Sequence, residues 1–111
     1  MSEPAVFEEL RTTIAAHDVV LFMKGSADQP RCGFSNLVVQ VLDHLGVPFH
    51  DVDVLANDEI RNGVKAFSDW PTIPQLYVKG EFLGGSDIVK EMYQSGELQA
   101  LLKEKGLMAE A

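Results

Sequence analysis

The chain has 111 residues, 46% of them hydrophobic and 23% charged, which suits one globular domain with a single core. Its formal net charge of −8, from 9 basic and 17 acidic residues, disfavours general nucleic-acid binding, because that function needs a basic face. The one cysteine excludes an internal disulfide, and no apolar run approaches the roughly 20 residues that span a bilayer, so we expect a cytoplasmic protein without a membrane segment.

Hydrophobic periodicity and turn residues divide the chain into helices and strands. The continuous apolar run at 19–23 is typical of a strand that is buried on both faces, whereas the more polar strand at 49–54 suits a sheet edge. Ser86 or Asp87 is expected to cap the helix that follows two glycines. In chain order we predict a helix at 4–17, a strand at 19–23, a helix at 33–45, a strand at 49–54, a helix at about 58–67, strands at 75–78 and 81–83, and helices at about 86–94 and 97–105.

This order of elements defines a fold class. A right-handed crossover makes the first two strands parallel, and the hairpin formed by the last two strands adds an antiparallel pair. We therefore predict an α/β fold in which a four-stranded mixed sheet, a βαβ unit plus a β-hairpin, is flanked by about five helices. One domain is expected to span residues 1–111, with a loose tail at about 107–111.

The single cysteine, Cys32, follows a run of turn residues and stands where the second helix begins. Unpaired N–H groups and the partial positive charge of a helix N-terminus favour the thiolate, which is the form that attacks disulfides and binds metals. The alternative interpretation is that Cys32 is only a small, buried hydrophobic residue without a chemical role. Ser35 occupies the position, three residues later, where dithiol redox proteins carry a second cysteine. A mixed disulfide on Cys32 would therefore need an external thiol such as glutathione, unless Cys32 holds a metal.

Separated motifs make the chain recognisable over residues 7–102. They are Lys24-Gly25-Ser26, Cys32-Gly33-Phe34-Ser35, Trp70-Pro71-Thr72-Ile73-Pro74-Gln75 and Gly84-Gly85-Ser86-Asp87. In this order they closely resemble the monothiol glutaredoxins of the CGFS type, and the resemblance implies a thioredoxin-like fold. Many members carry cysteine where this chain has Ser86, so control by a disulfide between that position and the active cysteine is excluded here.

The resemblance also implies a cofactor and partners. By this resemblance, the chain is expected to carry a [2Fe–2S] cluster that bridges a homodimer through two cysteines and two bound glutathione molecules. It is also expected to pair with a BolA-like protein and to hand the cluster to apo iron–sulfur acceptor proteins. The number of ligands fits this arrangement. A [2Fe–2S] cluster normally takes four thiolates; two chains supply two, and two glutathione molecules supply the other two.

Glutathione carries two carboxylates and one ammonium, so its site needs fixed cations, backbone donors and an acid. Lys24, at the end of the first strand, can reach the thiolate region or the glycine carboxylate, and the forked guanidinium of Arg61 can bind the same carboxylate. Ile73-Pro74 resembles the cis-proline turn of the family, in which Ile73 pairs with the cysteinyl backbone of glutathione. The start of the helix after Gly85 receives the γ-glutamyl carboxylate. The predicted glutathione residues are Lys24, Arg61, Thr72, Ile73, Gly85, Ser86 and Asp87; Cys32 is the cluster ligand and, if exchange occurs, the nucleophile.

Each assignment has a plainer alternative. Lys24 can be an exposed solubilising lysine, and Arg61 can form a surface pair with Asp58 or Asp53. Pro74 can simply start a strand. Ser86 and Asp87 can cap a helix and do nothing else.

Other residues near the motifs are open to both kinds of interpretation. Phe34 and Trp70 are expected to shape the mouth of the site, with core packing as the competing account, above all for Trp70. Arg31 can favour the thiolate or be solvated. The three histidines, His17, His44 and His50, show no ligand spacing and are interpreted as structural.

Three functions follow for comparison. The first is a glutathione-dependent [2Fe–2S] carrier in iron–sulfur cluster assembly and iron homeostasis. The second is a glutathione-dependent thiol–disulfide oxidoreductase that removes glutathione from mixed disulfides through Cys32. The third is an iron- or redox-sensing module that acts with a BolA-like partner.

Overall fold

The computed structural model describes residues 3–109. The first helix, α1 (Ala5–Ala16), follows Pro4 and buries Leu10 and Ile14, one helical turn apart. The strand β1 (Val19–Met23) is buried at every position and is central in the sheet, as its continuous apolar run predicts.

Three further strands complete the sheet. They are β2 (His50–Asp53), β3 (Gln75–Val78) and β4 (Glu81–Gly84), in the order β2-β1-β3-β4. The pair β1–β2 is parallel, and β1–β3 and β3–β4 are antiparallel. The predicted four-stranded mixed sheet, with the more polar strand at an edge, is confirmed.

The other helices are α2 (Gly33–Leu45), α3 (Asp58–Ser68), α4 (Ser86–Ser95) and α5 (Glu97–Glu104), and a short 3₁₀ turn, Val54–Ala56, precedes α3. Gly46 ends α2 in the left-handed conformation, with φ of 70°, as a glycine at this position predicts. Asn57 caps α3, because its side-chain oxygen accepts a hydrogen bond from the Ile60 N–H over 3.2 Å.

The sheet has a core on each face, because alternate residues of β1 point to opposite sides. Val19, Leu21 and Met23 belong to a cluster with buried residues of α2, α4 and α5. Val20 and Phe22 belong to a second cluster with residues of α1 and α3. The carboxyl end of β1 and the start of α2 lie at the same end of the molecule, where the Lys24 N–H bonds to Ser35. Cys32 lies at this end.

One sequence prediction needs correction. Neither Ser86 nor Asp87 caps α4: Gly85 is the capping residue, without a side-chain hydrogen bond, and Ser86 already belongs to the helix. The loose tail at about 107–111 stays a prediction; Leu107 and Met108 are partly buried against the first core cluster. Residues 110–111 of the predicted tail lie outside the described residues.

Candidate functional site

The thiol of Cys32 lies at the start of α2. Cys32 caps the helix with extended backbone angles, φ −151° and ψ 134°, and is half-buried. The backbone N–H of Ser35 lowers the pKa of the Cys32 thiol, and the Phe34 N–H, the charge of Lys24 and the Ser35 hydroxyl act in the same direction, against the opposing effect of burial. The structure therefore favours the reactive thiolate, as the position in the sequence predicts.

Ser35 has a structural role that its identity in the motif did not indicate. Its side chain is completely buried, and its hydroxyl oxygen accepts a hydrogen bond from the backbone N–H of Lys24 over 3.1 Å. This bond joins the end of β1 to the first turn of α2. The residue that replaces a second cysteine thus also fixes the position of the first.

A cavity of about 520 Å³ opens beside the thiol. Four segments that are distant in the sequence meet around it: the end of β1 with the start of α2, the second half of α3, the loop before β3, and the start of α4. The lining residues are Lys24, Cys32, Phe34, Lys65, Pro71, Thr72, Ile73, Pro74, Ser86 and Asp87. The structure thus brings together the thiol and most of the predicted glutathione residues.

Gly85 borders a smaller cavity, of about 50 Å³, that shares Thr72, Ser86 and Asp87 with the larger one. A Cβ atom on Gly85 would lie 3.2 Å from the Pro74 carbonyl oxygen and 3.3 Å from the Trp70 indole nitrogen. The position therefore favours glycine because the backbone and the indole ring approach it closely.

Arg61 is the predicted site residue that does not line either cavity. Its guanidinium forms an ion pair with Asp58 over 3.1 Å, and the two side chains are 37% and 78% exposed. The plainer alternative for Arg61 is therefore what the structure shows. Lys65, one helical turn further along α3, lines the large cavity instead.

Lys65 is the cation that the sequence argument missed. Residues four apart lie on the same face of a helix, so the assignment of Arg61 to the site already placed Lys65 on the correct face. The spacing of four residues between Arg61 and Lys65 on α3 could therefore have indicated Lys65 from the sequence.

Gln75 holds the loop that leads into the cavity. Its side chain is completely buried, and its amide donates hydrogen bonds to the carbonyl oxygens of Trp70 and Thr72 over 3.0 and 3.2 Å. The Ile73–Pro74 bond in this loop is cis, as predicted, and Ile73 is 7% exposed. The first residue of β3 thus fixes the segment that supplies Thr72 and Ile73 to the cavity.

Two aromatic side chains flank the site. Phe34 is 63% exposed and Trp70 is 38% exposed. Phe34 lines the large cavity and Trp70 the small one. Trp70 is therefore not part of the buried core, although its ring lies 5.9 Å from that of Phe82. That both residues shape the mouth of the site stays a prediction.

Potential metal ligands do not cluster in the part of the chain that the structure describes. Within residues 3–109, no group of three or more His, Cys, Asp or Glu side chains could hold a metal ion. His17 and His50 stack with their ring centroids 3.9 Å apart, at the end of β1 away from Cys32.

Comparisons with known proteins show the family of the chain. The sequence profile of the family described as Glutaredoxin matches residues 19–83. A Synechocystis protein named "Uncharacterized monothiol glutaredoxin ycf64-like" is 60% identical over 90 residues, which cover 81% of this chain and 84% of that protein. The rice protein "Monothiol glutaredoxin-S7, chloroplastic" is 53% identical over 106 residues, 96% of this chain and 62% of the rice protein.

Among solved structures, a monomeric truncated mutant of Trypanosoma brucei 1-C-Grx1 has the same architecture. Its TM-score is 0.86 at 42% sequence identity, and the match covers 98% of this chain and 99% of that one. In the range 3–109, no helix has both the length and the apolar character needed to cross a membrane.

Proposed function

This chain belongs to the glutaredoxin family, in its monothiol group, and on that premise we propose that it is a glutathione-dependent carrier of a [2Fe–2S] cluster in iron–sulfur cluster assembly and iron homeostasis. The thioredoxin-like α/β fold predicted from the sequence is confirmed. The observation that carries the proposal is one activated thiol, without a second cysteine, beside a cavity of about 520 Å³.

Ligand arithmetic links the thiol to a shared site. A [2Fe–2S] cluster normally takes four thiolates, and this chain supplies only Cys32. Two chains and two glutathione molecules supply four. The cluster is cargo in this account: it is held between two protomers and passed to an apo iron–sulfur acceptor protein.

The charges around the cavity match those of glutathione. Lys24 and Lys65 offer cations to its glycine carboxylate, and the free N–H groups at the start of α4 suit its γ-glutamyl carboxylate. Asp87 offers a carboxylate to the ammonium group. Arg61 would join only by leaving Asp58, and a pair this exposed is held weakly.

We further propose how the carrier assembles. It forms a homodimer around the cluster or a heterodimer with a BolA-like protein, and it acts in the cytoplasm. Nucleic acid is not a partner in this proposal, because a net charge of −8 disfavours binding to phosphates, and no membrane partner is proposed because no apolar run is long enough to span a bilayer.

The oxidoreductase is the second candidate, and the lowered pKa of Cys32 favours it. In that reaction the thiolate attacks the glutathione sulfur of a protein–glutathione disulfide and releases the protein thiolate. A second glutathione thiolate then attacks the Cys32–glutathione disulfide, which restores Cys32 and yields oxidised glutathione. A sensor that acts with a BolA-like partner is the third candidate.

Anaerobic reconstitution with iron, sulfide and glutathione tests the proposal. We expect a brown dimer that forms only with glutathione, that is lost in Cys32→Ser, and that transfers its cluster to an apo-ferredoxin. A colourless monomer with fast turnover in a glutathione-coupled assay would favour the oxidoreductase. A holo form that changes partner binding without cluster transfer would favour the sensor.

A further inference from the structure

Asp53, the last residue of β2, connects the loop before Cys32 to the 3₁₀ turn that precedes α3, and it also caps that turn. One of its carboxylate oxygens, Oδ1, accepts hydrogen bonds from the backbone N–H groups of Gly25 and Leu55, each over 2.9 Å. Gly25 opens the loop in front of Cys32, and Leu55 lies in the 3₁₀ turn that leads into α3. A half-buried carboxylate thus holds both segments with the same atom.

Asp51, two residues earlier on β2, ties the same loop at a second point. Its Oδ2 oxygen accepts a hydrogen bond from the Ala27 N–H over 2.8 Å. Residues two apart on a strand lie on the same face, so the two carboxylates act side by side. Edge strands often carry charged residues only to prevent pairing with other chains, but here both carboxylates accept hydrogen bonds from the backbone.

The loop from Lys24 to Arg31 is closed by hydrogen bonds between its own backbone groups. The Arg31 N–H donates to the Lys24 carbonyl oxygen over 2.9 Å, and the backbones of Ser26 and Gln29 pair in both directions. A closed loop moves as one body, so its position depends on what anchors it to the rest of the protein. The loop joins Lys24 to Cys32, so its anchoring contributes, together with the Lys24–Ser35 hydrogen bond, to how the cation and the thiol stand relative to each other.

The opposite end of this connection reaches the cavity as well. The 3₁₀ turn that contains Leu55 is followed directly by α3, which begins at Asp58 and carries Lys65 to the cavity. A carboxylate adds negative charge, which by itself opposes a thiolate. The benefit of an acidic residue at position 53 therefore lies in geometry rather than in charge.

We propose that Asp53 is a positioning residue of the thiol site, which acts through the loop before Cys32 and through the segment leading into α3. Asp51 supports it at the far side of the loop. In its consequence for the cluster, this inference rests on the function proposed above. In its consequence for the thiol, it stands on the hydrogen bonds alone.

Matched variants separate geometry from charge. Asp53→Ala and Asp53→Asn remove the same charge, but only asparagine keeps an oxygen that can accept both hydrogen bonds. Asp28→Ala is the control, because Asp28 is an exposed acidic residue of the same loop whose side chain has no hydrogen bond within residues 3–109. The measurements are the pH profile of Cys32 alkylation in the cluster-free protein and the half-life of the reconstituted cluster.

We expect Asp53→Ala to shift the alkylation profile to higher pH and to shorten the cluster half-life severalfold. Asp53→Asn and Asp28→Ala should stay close to the wild type. Equal behaviour of Asp53→Ala and Asp53→Asn, whether both change or neither does, would overturn the proposal.

A measurement on the wild type covers the case in which Asp53→Ala does not fold. The amides of Gly25 and Leu55 should exchange with solvent far more slowly than the amide of Asp28, and equal rates would overturn the proposal. If the wild type binds no cluster, the proposed function fails, whereas the alkylation and exchange measurements still decide the role of Asp53.

Discussion

The backbone N–H of Lys24 donates a hydrogen bond to the side-chain oxygen of Ser35, 3.1 Å away, across the turn that holds the thiol. Ser35 is completely buried, and its own N–H and hydroxyl both lower the pKa of Cys32. The serine that makes this protein monothiol therefore also fixes the thiol and activates it.

Ser35→Ala should weaken both functions. The Lys24 N–H loses its acceptor in a partly buried place, which costs about 1 kcal/mol of stability, and the thiol loses a hydrogen bond that favours its charged form. We expect lower thermal stability and a Cys32 alkylation profile displaced to higher pH. An unchanged profile would show that the hydroxyl does not act on the thiol.

Lys24→Gln should raise the pKa of Cys32, because the positive charge of Lys24 is one of the causes that lower it. The alkylation profile then moves to higher pH and the rate at neutral pH falls, since a smaller fraction of the thiol is ionised. Arg31→Gln is the matched control, because Arg31 adjoins Cys32 in the chain but is exposed and does not contribute to the shift. A larger effect of Arg31→Gln would contradict this assignment.

Lys65 and Arg61 can be ranked against each other. Lys65 lines the cavity, whereas Arg61 pairs with Asp58, so Lys65→Ala should weaken glutathione binding more than Arg61→Ala does. The glutathione concentration that half-maximally protects the reconstituted cluster measures this difference. We expect it to rise severalfold in Lys65→Ala and little in Arg61→Ala, and the reverse order would restore the assignment of Arg61 made from the sequence.

Gln75→Leu should loosen the loop that borders the cavity, because the carbonyl oxygens of Trp70 and Thr72 lose their donor. We expect a loss of about 1–3 kcal/mol in the free energy of unfolding and a weaker response of the fluorescence of Trp70, the only tryptophan, to glutathione.

Gln99→Leu provides the control for this variant. Gln99 donates one hydrogen bond to the Tyr93 carbonyl oxygen, over 3.3 Å, and lines neither cavity at the thiol. It should lower stability without changing the response to glutathione. If both variants weaken that response equally, the effect of Gln75 is one of stability alone.

The elements that the sequence predicted best are those with a strong hydrophobic pattern or a glycine stop. Strand β1 is buried on both faces, so its continuous apolar run marks it without ambiguity. Helix α2 ends at Gly46, where the left-handed conformation is required. The cap of α4 was predicted wrongly, because Ser and Asp are the usual capping residues. The sequence does not indicate that Gly85 takes the extended backbone angles of the cap.

The sequence predicts the site residues that belong to a recognisable motif. It does not predict the contacts between residues that are distant in the chain. Cys32, Ile73 and Asp87 meet around one cavity as the motifs imply. The hydrogen bond from Gly25 to Asp53 depends on the register of β2 beside β1, which the periodicity of the sequence does not contain.

Native mass spectrometry of the anaerobically reconstituted protein would count the chains, irons and glutathione molecules of the proposed shared site. We expect one species with two chains, one [2Fe–2S] cluster and two glutathione molecules, which is absent from Cys32→Ser and dissociates when glutathione is removed. A cluster on a single chain, a dimer that retains its cluster without glutathione, or no cluster at all would contradict the proposed function.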